Sequence, residues 1–351
     1  MADHSAIEWT DATWTPIRAR NHKTGKVGWH CEHATTGCEN CYAEGINKRL
    51  GTGLPFKPGH RADIEIFLDE AMLTQPLRWK KPRRVFVCSM TDLFASFVTD
   101  EMIDRVFAVM ALCPQHTFQV LTKRAERMRT WFAERWQPAP AQHLDLGGGD
   151  AIDVPAEETG HGRHEEVYQA CEHIFELIPA MVDTENEALW NERGSLKCRD
   201  FAWPLPNVWL GVSAERQQEA DERIPHLLQT PAAVRFVSLE PLLGPINLDP
   251  INCGGGILWN ALGRTKGGEI GCLDWVIVGG ESGRNARPMQ IEWAESIRDQ
   301  CRAVAVACFI KQLGAEPTVA GHPLELRDRK GGDWSEWPEA FRVREFPGVR
   351  P

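Results

Sequence analysis

Arg235-Phe-Val-Ser-Leu-Glu240 is the stretch whose reading decides the fold. It has the length of a buried strand, is apolar through most of its course, and meets a carboxylate as soon as the run ends. Six further runs have this form: Ala12-Thr-Trp-Thr-Pro-Ile-Arg18, Val85-Phe-Val-Cys-Ser-Met90, Phe118-Gln-Val-Leu-Thr-Lys123, Val208-Trp-Leu-Gly-Val-Ser213, Trp275-Val-Ile-Val-Gly-Gly280 and Cys308-Phe-Ile-Lys-Gln312. Helical patterns lie between them at Leu68–Trp79, Asp100–Leu112, Ala125–Trp136, Arg216–Leu228 and Glu292–Arg302. Strands alternating with helices of this length form parallel β/α units, buried on both faces. The expected fold is α/β: a parallel, TIM-like β/α barrel, full or partial, of about six to seven strands. A doubly wound open sheet is the alternative that spacing leaves open.

Two insertions interrupt the rhythm. Residues 1–138 form the first part of the barrel, 139–206 an acidic, partly helical insertion, and 207–327 the second part, with a glycine-rich excursion at 252–273. Residues 328–351 form a tail, in which Trp334, Trp337 and Phe341 are expected to pin the chain onto the barrel. The first insertion carries Val167, Cys171, Ile174, Ile178 and Met181 at helical spacing. Its acidity reads as a solvated excursion, with a lid or docking surface as the other reading. Cys253 and Cys272 in the second insertion read as incidental, and His161, His164 and His173 as solvated.

The formal charge of −10 is confined to the first insertion, where residues 139–206 hold 14 Asp and Glu against 4 Lys and Arg. The remainder holds 35 of each sign, so the overall charge does not argue against an anionic partner at the barrel. No basic, apolar leader opens the chain, and its longest apolar run, Val304–Ile310, is too short to cross a bilayer. Eleven cysteines without a regular framework fit a reducing compartment. A cytoplasmic protein without a membrane partner is expected; oligomeric state has no signature in the sequence.

Chemistry concentrates in Cys31-Glu-His-Ala-Thr-Thr-Gly-Cys38-Glu-Asn-Cys41-Tyr42-Ala43. Three cysteines spaced C-x6-C-x2-C have no fourth nearby. Three thiolates can hold three irons of a 4Fe-4S cluster and leave the fourth iron open, there to take S-adenosylmethionine. A zinc knuckle completed by His30 or His33 is the bland alternative.

Cys31, Cys38, Cys41 and the trailing Tyr42-Ala43 resemble the cluster loop of radical S-adenosylmethionine enzymes. The whole chain resembles a phage and prophage family with a three-Cys motif, related to that superfamily. The stretches that carry the resemblance are Ile7-Glu-Trp-Thr-Asp11, Ser89-Met-Thr-Asp-Leu-Phe94, Leu121-Thr-Lys-Arg124, Ser238-Leu-Glu-Pro-Leu-Leu-Gly-Pro245, Trp275-Val-Ile-Val-Gly-Gly-Glu-Ser282 and Asp328-Arg-Lys-Gly-Gly332. Two features depart from the commonest radical-enzyme loop. The first gap is six residues rather than three, and Asn40 stands where an aromatic usually packs near adenine; Tyr42 is the candidate substitute. The resemblance implies a 4Fe-4S cluster, S-adenosylmethionine and an external electron donor of flavodoxin or ferredoxin type.

In parallel barrels chemistry sits at the C-terminal strand ends. Those ends carry Ser89 and Asp92, Thr122 to Arg124, Ser213 and Glu215, Ser238 and Glu240, Glu281 and Ser282, and Lys311 and Gln312. The polar group after the second strand receives the ammonium of S-adenosylmethionine in radical enzymes, which Ser89 and Asp92 resemble. Ser213 suits the ribose and Glu240 ribose or substrate, while Lys123, Glu281 and Lys311 are candidates for the catalytic mouth. Ion pairs of Lys123 and Lys311 with Glu240 or Glu281, bracing the barrel, are the plain alternative. A nucleotide, nucleobase or nucleic acid is the candidate substrate. The rival functions are a zinc-containing nucleic-acid-binding protein and a phage interaction protein, neither catalytic. The basic cluster Arg78, Lys80, Lys81, Arg83, Arg84 favours the former but precedes its strand, away from the mouth.

Overall fold

Each of the seven apolar runs contributes one strand to a single parallel sheet. The structure is a computed structural model and describes residues 5–133, 142–147, 150–154, 163–177, 202–263 and 271–348. The strands are β1 (Ala12–Trp14), β2 (Arg84–Val87), β3 (Thr117–Thr122), β4 (Val208–Ser213), β5 (Val234–Leu239), β6 (Trp275–Gly279) and β7 (Ala307–Gln312). Their order in the sheet is their order in the chain, every neighbouring pair is parallel, and the sheet curls into a half-barrel. The partial barrel is thus the form adopted. The edge at β7 is covered by the tail: Ile310 N–H donates to Val343 O at 2.8 Å and Glu345 N–H to Cys308 O at 2.9 Å. Pairing that edge removes a template for association with another chain.

Six helices matter for the site: α1 (Tyr42–Leu50), α2 (Asp100–Ala111), α3 (Ala125–Ala133), α4 (Arg163–Leu177), α5 (Gln217–Leu228) and α6 (Ile291–Ala303). Side chains alternate across each strand. One set, including Val85, Val87, Phe118, Val120, Leu210, Val212, Val237, Val276 and Ile310, packs with Val106, Phe107, Met128, Ile224 and Ile297 of the helices. The opposite set forms a separate cluster of Trp9, Phe86, Trp209, Val234, Phe236, Trp275, Ile277 and Phe309, to which no helix contributes. This second set lines the concave face.

Three expectations need correction. The first strand ends at Trp14 rather than Arg18, because Pro16 has no N–H to continue a ladder. Beyond it, Ile17–Asn21 joins Val27–Gly28 and Ile64–Leu68 in a small antiparallel sheet. The helix expected over Leu68–Trp79 is only Glu70–Leu73 plus a 3-10 turn, Gln75–Arg78, with Pro76 near its start. Nor is the acidic insertion wholly solvated. Val167, Cys171 and Ile174 are buried against α2, and Arg163 bonds both carboxylate oxygens of Asp104 at 3.0 Å. Ile178, Met181 and His161 lie outside the described residues; His164 is half-buried and His173 exposed.

In the tail, Trp337 and Phe341 are buried as expected, whereas Trp334 is 44% exposed. No helix among the described residues is long and apolar enough to cross a membrane.

Candidate functional site

The concave face changes character along the strand direction. Its lower end is aromatic: Trp275 is fully buried, with the rings of Trp9, Trp209, Phe236, Phe309 and Phe346 centred 5.3–6.2 Å away. Midway, small residues take over at Gly211, Ser213, Ser238 and Gly279. Gly211 has to be glycine, since a Cβ there would lie 2.5 Å from the Phe236 ring. At the upper end the side chains that follow this parity on β3 to β7 are charged: Lys123, Glu215, Glu240, Glu281 and Lys311.

These charges are paired. Lys123 bonds the fully buried Glu215, which also takes Thr35 Oγ1 at 3.2 Å and lies 3.4 Å from Arg223 Nη1. Lys311 Nζ lies 2.5 Å from Glu240 Oε1. Glu281 receives Arg287 at 2.6 and 2.9 Å and Asn40 Nδ2 at 3.0 Å. Burial acts to raise the Glu281 carboxyl, but the Arg287 and Asn40 hydrogen bonds outweigh it and hold it below the ordinary carboxylate value. The bracing pair expected of Lys311 is therefore present; Lys123 takes Glu215 rather than Glu240 or Glu281.

Above this charged edge lies the cysteine loop, tied down by side chains from four strand ends. Thr91 Oγ1 donates to His30 O at 2.6 Å, and Tyr42 Oη to Ser89 O at 2.9 Å, both beyond β2. Beyond β3, Arg124 Nη2 donates to Glu32 O at 2.7 Å. Thr35 reaches Glu215 beyond β4, and Gly37 lies so close that a Cβ would come 2.4 Å from the Glu215 side chain. Beyond β6, Asn40 reaches Glu281 and Arg287 Nη1 donates to Thr36 O at 2.9 Å. The loop is thus anchored over the C-terminal end of the sheet at both its flanks and its centre.

Within it, Cys38 closes a 3-10 turn, Cys41 is the N-cap of α1, and all three thiols are half-buried. Burial pushes the Cys31 thiol up, helped by Asp92, Cys41 and Cys38; burial likewise raises Cys41, with Cys38 adding to it. Cys41 N–H donates to Cys38 O at 3.2 Å, which sets these two cysteines on one turn. Cys31 and Cys41 also rest on an apolar pad of Ala43, Phe56 and Met90. Three neighbouring thiols on such a pad fit the ligand set of a 4Fe-4S cluster, whose surroundings limit solvent access. Of the two histidines of the zinc alternative, His33 Nε2 is held by Glu44 at 2.7 Å and His30 is buried beside Phe56 and Phe97. Among the described residues, no three His, Cys, Asp or Glu side chains are gathered tightly enough for a single metal ion.

A family model described as "Protein of unknown function (DUF5131)" matches residues 4–338. The chain belongs to this family. No curated protein and no solved structure matches it. In this DUF5131 chain the matched span includes the cysteine loop, all seven strands and the acidic insertion.

The remaining site residues divide into two groups. Asp92 is buried and accepts from Thr122 Oγ1 at 2.7 Å and from the N–H groups of Phe94 and Lys123 at 3.0 Å, so it shapes the turns after β2 and β3. The Ser89 carbonyl serves Tyr42, and the Ser213 carbonyl takes Arg223 Nη1 at 2.7 Å. Ser213, Glu240, Lys123, Glu281 and Lys311 line one concave face, under the loop that bears Cys31, Cys38 and Cys41. Sequence reading gave no role to Glu215, Thr35, Asn40, Arg124, Arg223 or Arg287. Glu215 shares the inward parity of Ser213, a usable signal; Arg287 and Asn40 have none beyond polarity.

Proposed function

We propose that this chain is a radical S-adenosylmethionine enzyme whose Cys31, Cys38 and Cys41 would hold one 4Fe-4S cluster. The observation that carries the reading is a loop with three neighbouring cysteines laid across the C-terminal rim of a partial β/α barrel, where barrel chemistry is sited. The resemblance of that loop, and of the chain, to radical-enzyme and phage three-Cys-motif sequences supports it. When bound and reduced by a flavodoxin- or ferredoxin-type donor, the cluster supplies the electron that cleaves S-adenosylmethionine to a 5′-deoxyadenosyl radical.

The chain's own residues then bind and orient. Ser89 and Asp92 lie on the turn beside Cys31 and are proposed for the ammonium group. Ser213 and Glu240 are proposed for the ribose, and Tyr42, 57% exposed and hydrogen-bonded to Ser89, offers a ring to the adenine. Lys123, Glu281 and Lys311 are proposed to meet the substrate, a nucleotide or nucleobase. Their ion pairs leave charge at the rim that an anionic substrate can recruit by exchanging partners.

Protein reconstituted anaerobically with iron and sulfide, then reduced with S-adenosylmethionine, is expected to release 5′-deoxyadenosine. Iron-loaded protein that releases none with any reductant would leave the cluster a structural element and contradict the enzyme reading.

A further inference from the structure

The segment that carries the cysteine loop also builds a small lobe beside the rim. The hairpin Ile17–Gly28 packs on the C-terminal end of α1, so closely that a side chain at Gly28 would overlap Gly51 and Thr52. Asn21 Nδ2 donates to Thr52 O at 3.0 Å, and His22 N–H donates to Asp63 O at 3.0 Å, drawing in the turn Pro58–Asp63. The lobe is joined to the cysteine loop by more than the chain: His33 N–H donates to Phe56 O and Phe56 N–H to Glu44.

Its charge is opposite to that of the protein. Residues 17–68 hold eight Lys and Arg against five Asp and Glu, a balance of +3 in a chain of −10. Three of the five acids are engaged within the lobe: Glu65 by Arg20, Glu44 by Lys48 and His33, Asp63 by His60. Lys26, Arg49 and Lys57 are exposed, come from the hairpin, the helix end and the following turn, and pair with no carboxylate among the described residues. Lys23 adds a fourth exposed cation, 3.9 Å from Asp63. The other exposed basic cluster, around Lys80 and Lys81, precedes β2 and so sits at the opposite end of the strands.

We infer that this lobe is a docking surface for a single strand of nucleic acid, whose phosphates meet Lys26, Arg49 and Lys57 while one nucleotide reaches the rim. The purpose of docking rests on the proposed function; the binding does not. Cations presented from three elements of one lobe suit a polyanion, and charge complementarity of this kind governs both capture rate and salt dependence. An enzyme that works on a base inside a concave mouth needs that base unpaired, which favours a single strand over a duplex.

The test is fluorescence anisotropy of labelled single-stranded DNA and RNA of one sequence, and of the matched duplex, over a salt series with the full-length protein. A triple variant Lys26→Glu, Arg49→Glu, Lys57→Glu is compared with the control Lys80→Glu, Lys81→Glu, with thermal melts confirming that both fold. Single strands are expected to bind, with log affinity falling linearly in log salt. The triple variant should flatten that slope by about 2, at roughly 0.7 per lost phosphate contact, while the control should not change it. Absence of binding at low salt, binding unaffected by the triple variant, or preference for anionic lipid vesicles over oligonucleotides would each overturn the inference. Wild-type protein that binds no oligonucleotide yet releases 5′-deoxyadenosine condemns the docking surface alone. Lobe-dependent binding without an iron cluster condemns the radical reading alone.

Discussion

The two ends of the concave face are built from the same strands and the same inward parity, yet they do opposite work. At the lower end five aromatic rings close around Trp275 and leave nothing to exchange. At the upper end the inward positions of β3 to β7 are charged, each charge is paired, and the pairs hold up a loop bearing three thiols. Apolar burial is non-directional and tolerates no water, whereas ion pairs at a rim can trade partners with a ligand. The barrel therefore separates an apolar, packed half from a charged half along a few residues of each strand.

That division can be broken by mutation, and the floor should yield the largest effect. Trp275→Ala removes the ring at the centre of the aromatic cluster and is expected to cost about 3–5 kcal/mol in denaturant unfolding, while folded protein keeps its capacity to bind iron. Equal loss of iron binding per folded molecule would show that the ends are not independent.

Lys123→Met comes next. It strands the fully buried Glu215, for which only Arg223 and Thr35 remain, and a loss of about 3 kcal/mol is expected. A negligible change would mean that Arg223 and Thr35 carry the Glu215 charge without Lys123. Lys311→Met should cost less, about 1–2 kcal/mol, because its partner Glu240 is 18% exposed and water can take over part of the solvation.

The smallest expected effect is a pH dependence. The Glu281 carboxyl is depressed in the folded protein, so its contribution is complete above the ordinary carboxylate value and is lost as pH falls through the folded value. The melting temperature of the wild type should exceed that of Glu281→Gln at neutral pH, and the gap should close in acid. A gap independent of pH would remove Glu281 from the latch on the cysteine loop.

Much of this arrangement was legible in the sequence, for a physical reason. A buried parallel strand must be apolar until it leaves the sheet, so seven apolar runs ending in polar groups located both the strands and the rim. The burial of Trp337 was likewise a local matter. What escaped were contacts with no periodic trace. Asn40 and Glu281 are 241 residues apart, and nothing in either neighbourhood predicts the bond between them. Lys123 met an unexpected partner because Glu215 lies two residues beyond its strand and still faces inward. The insertion misled through its net charge, which describes its acidic surface and not the apolar stripe that α4 presents to α2.

The central claim is that Cys31, Cys38 and Cys41, held together on the rim, are the ligands of one iron–sulfur cluster. Iron, sulfide and zinc analysis of anaerobically prepared protein, with each of the three cysteines replaced by Ala in turn and Cys253→Ala and Cys272→Ala as controls, tests it most directly. The account predicts about four irons and four sulfides per chain, lost in each of the three variants and kept in both controls. Stoichiometric zinc without iron in the wild type, or iron that survives any one of the three substitutions unchanged, would contradict it.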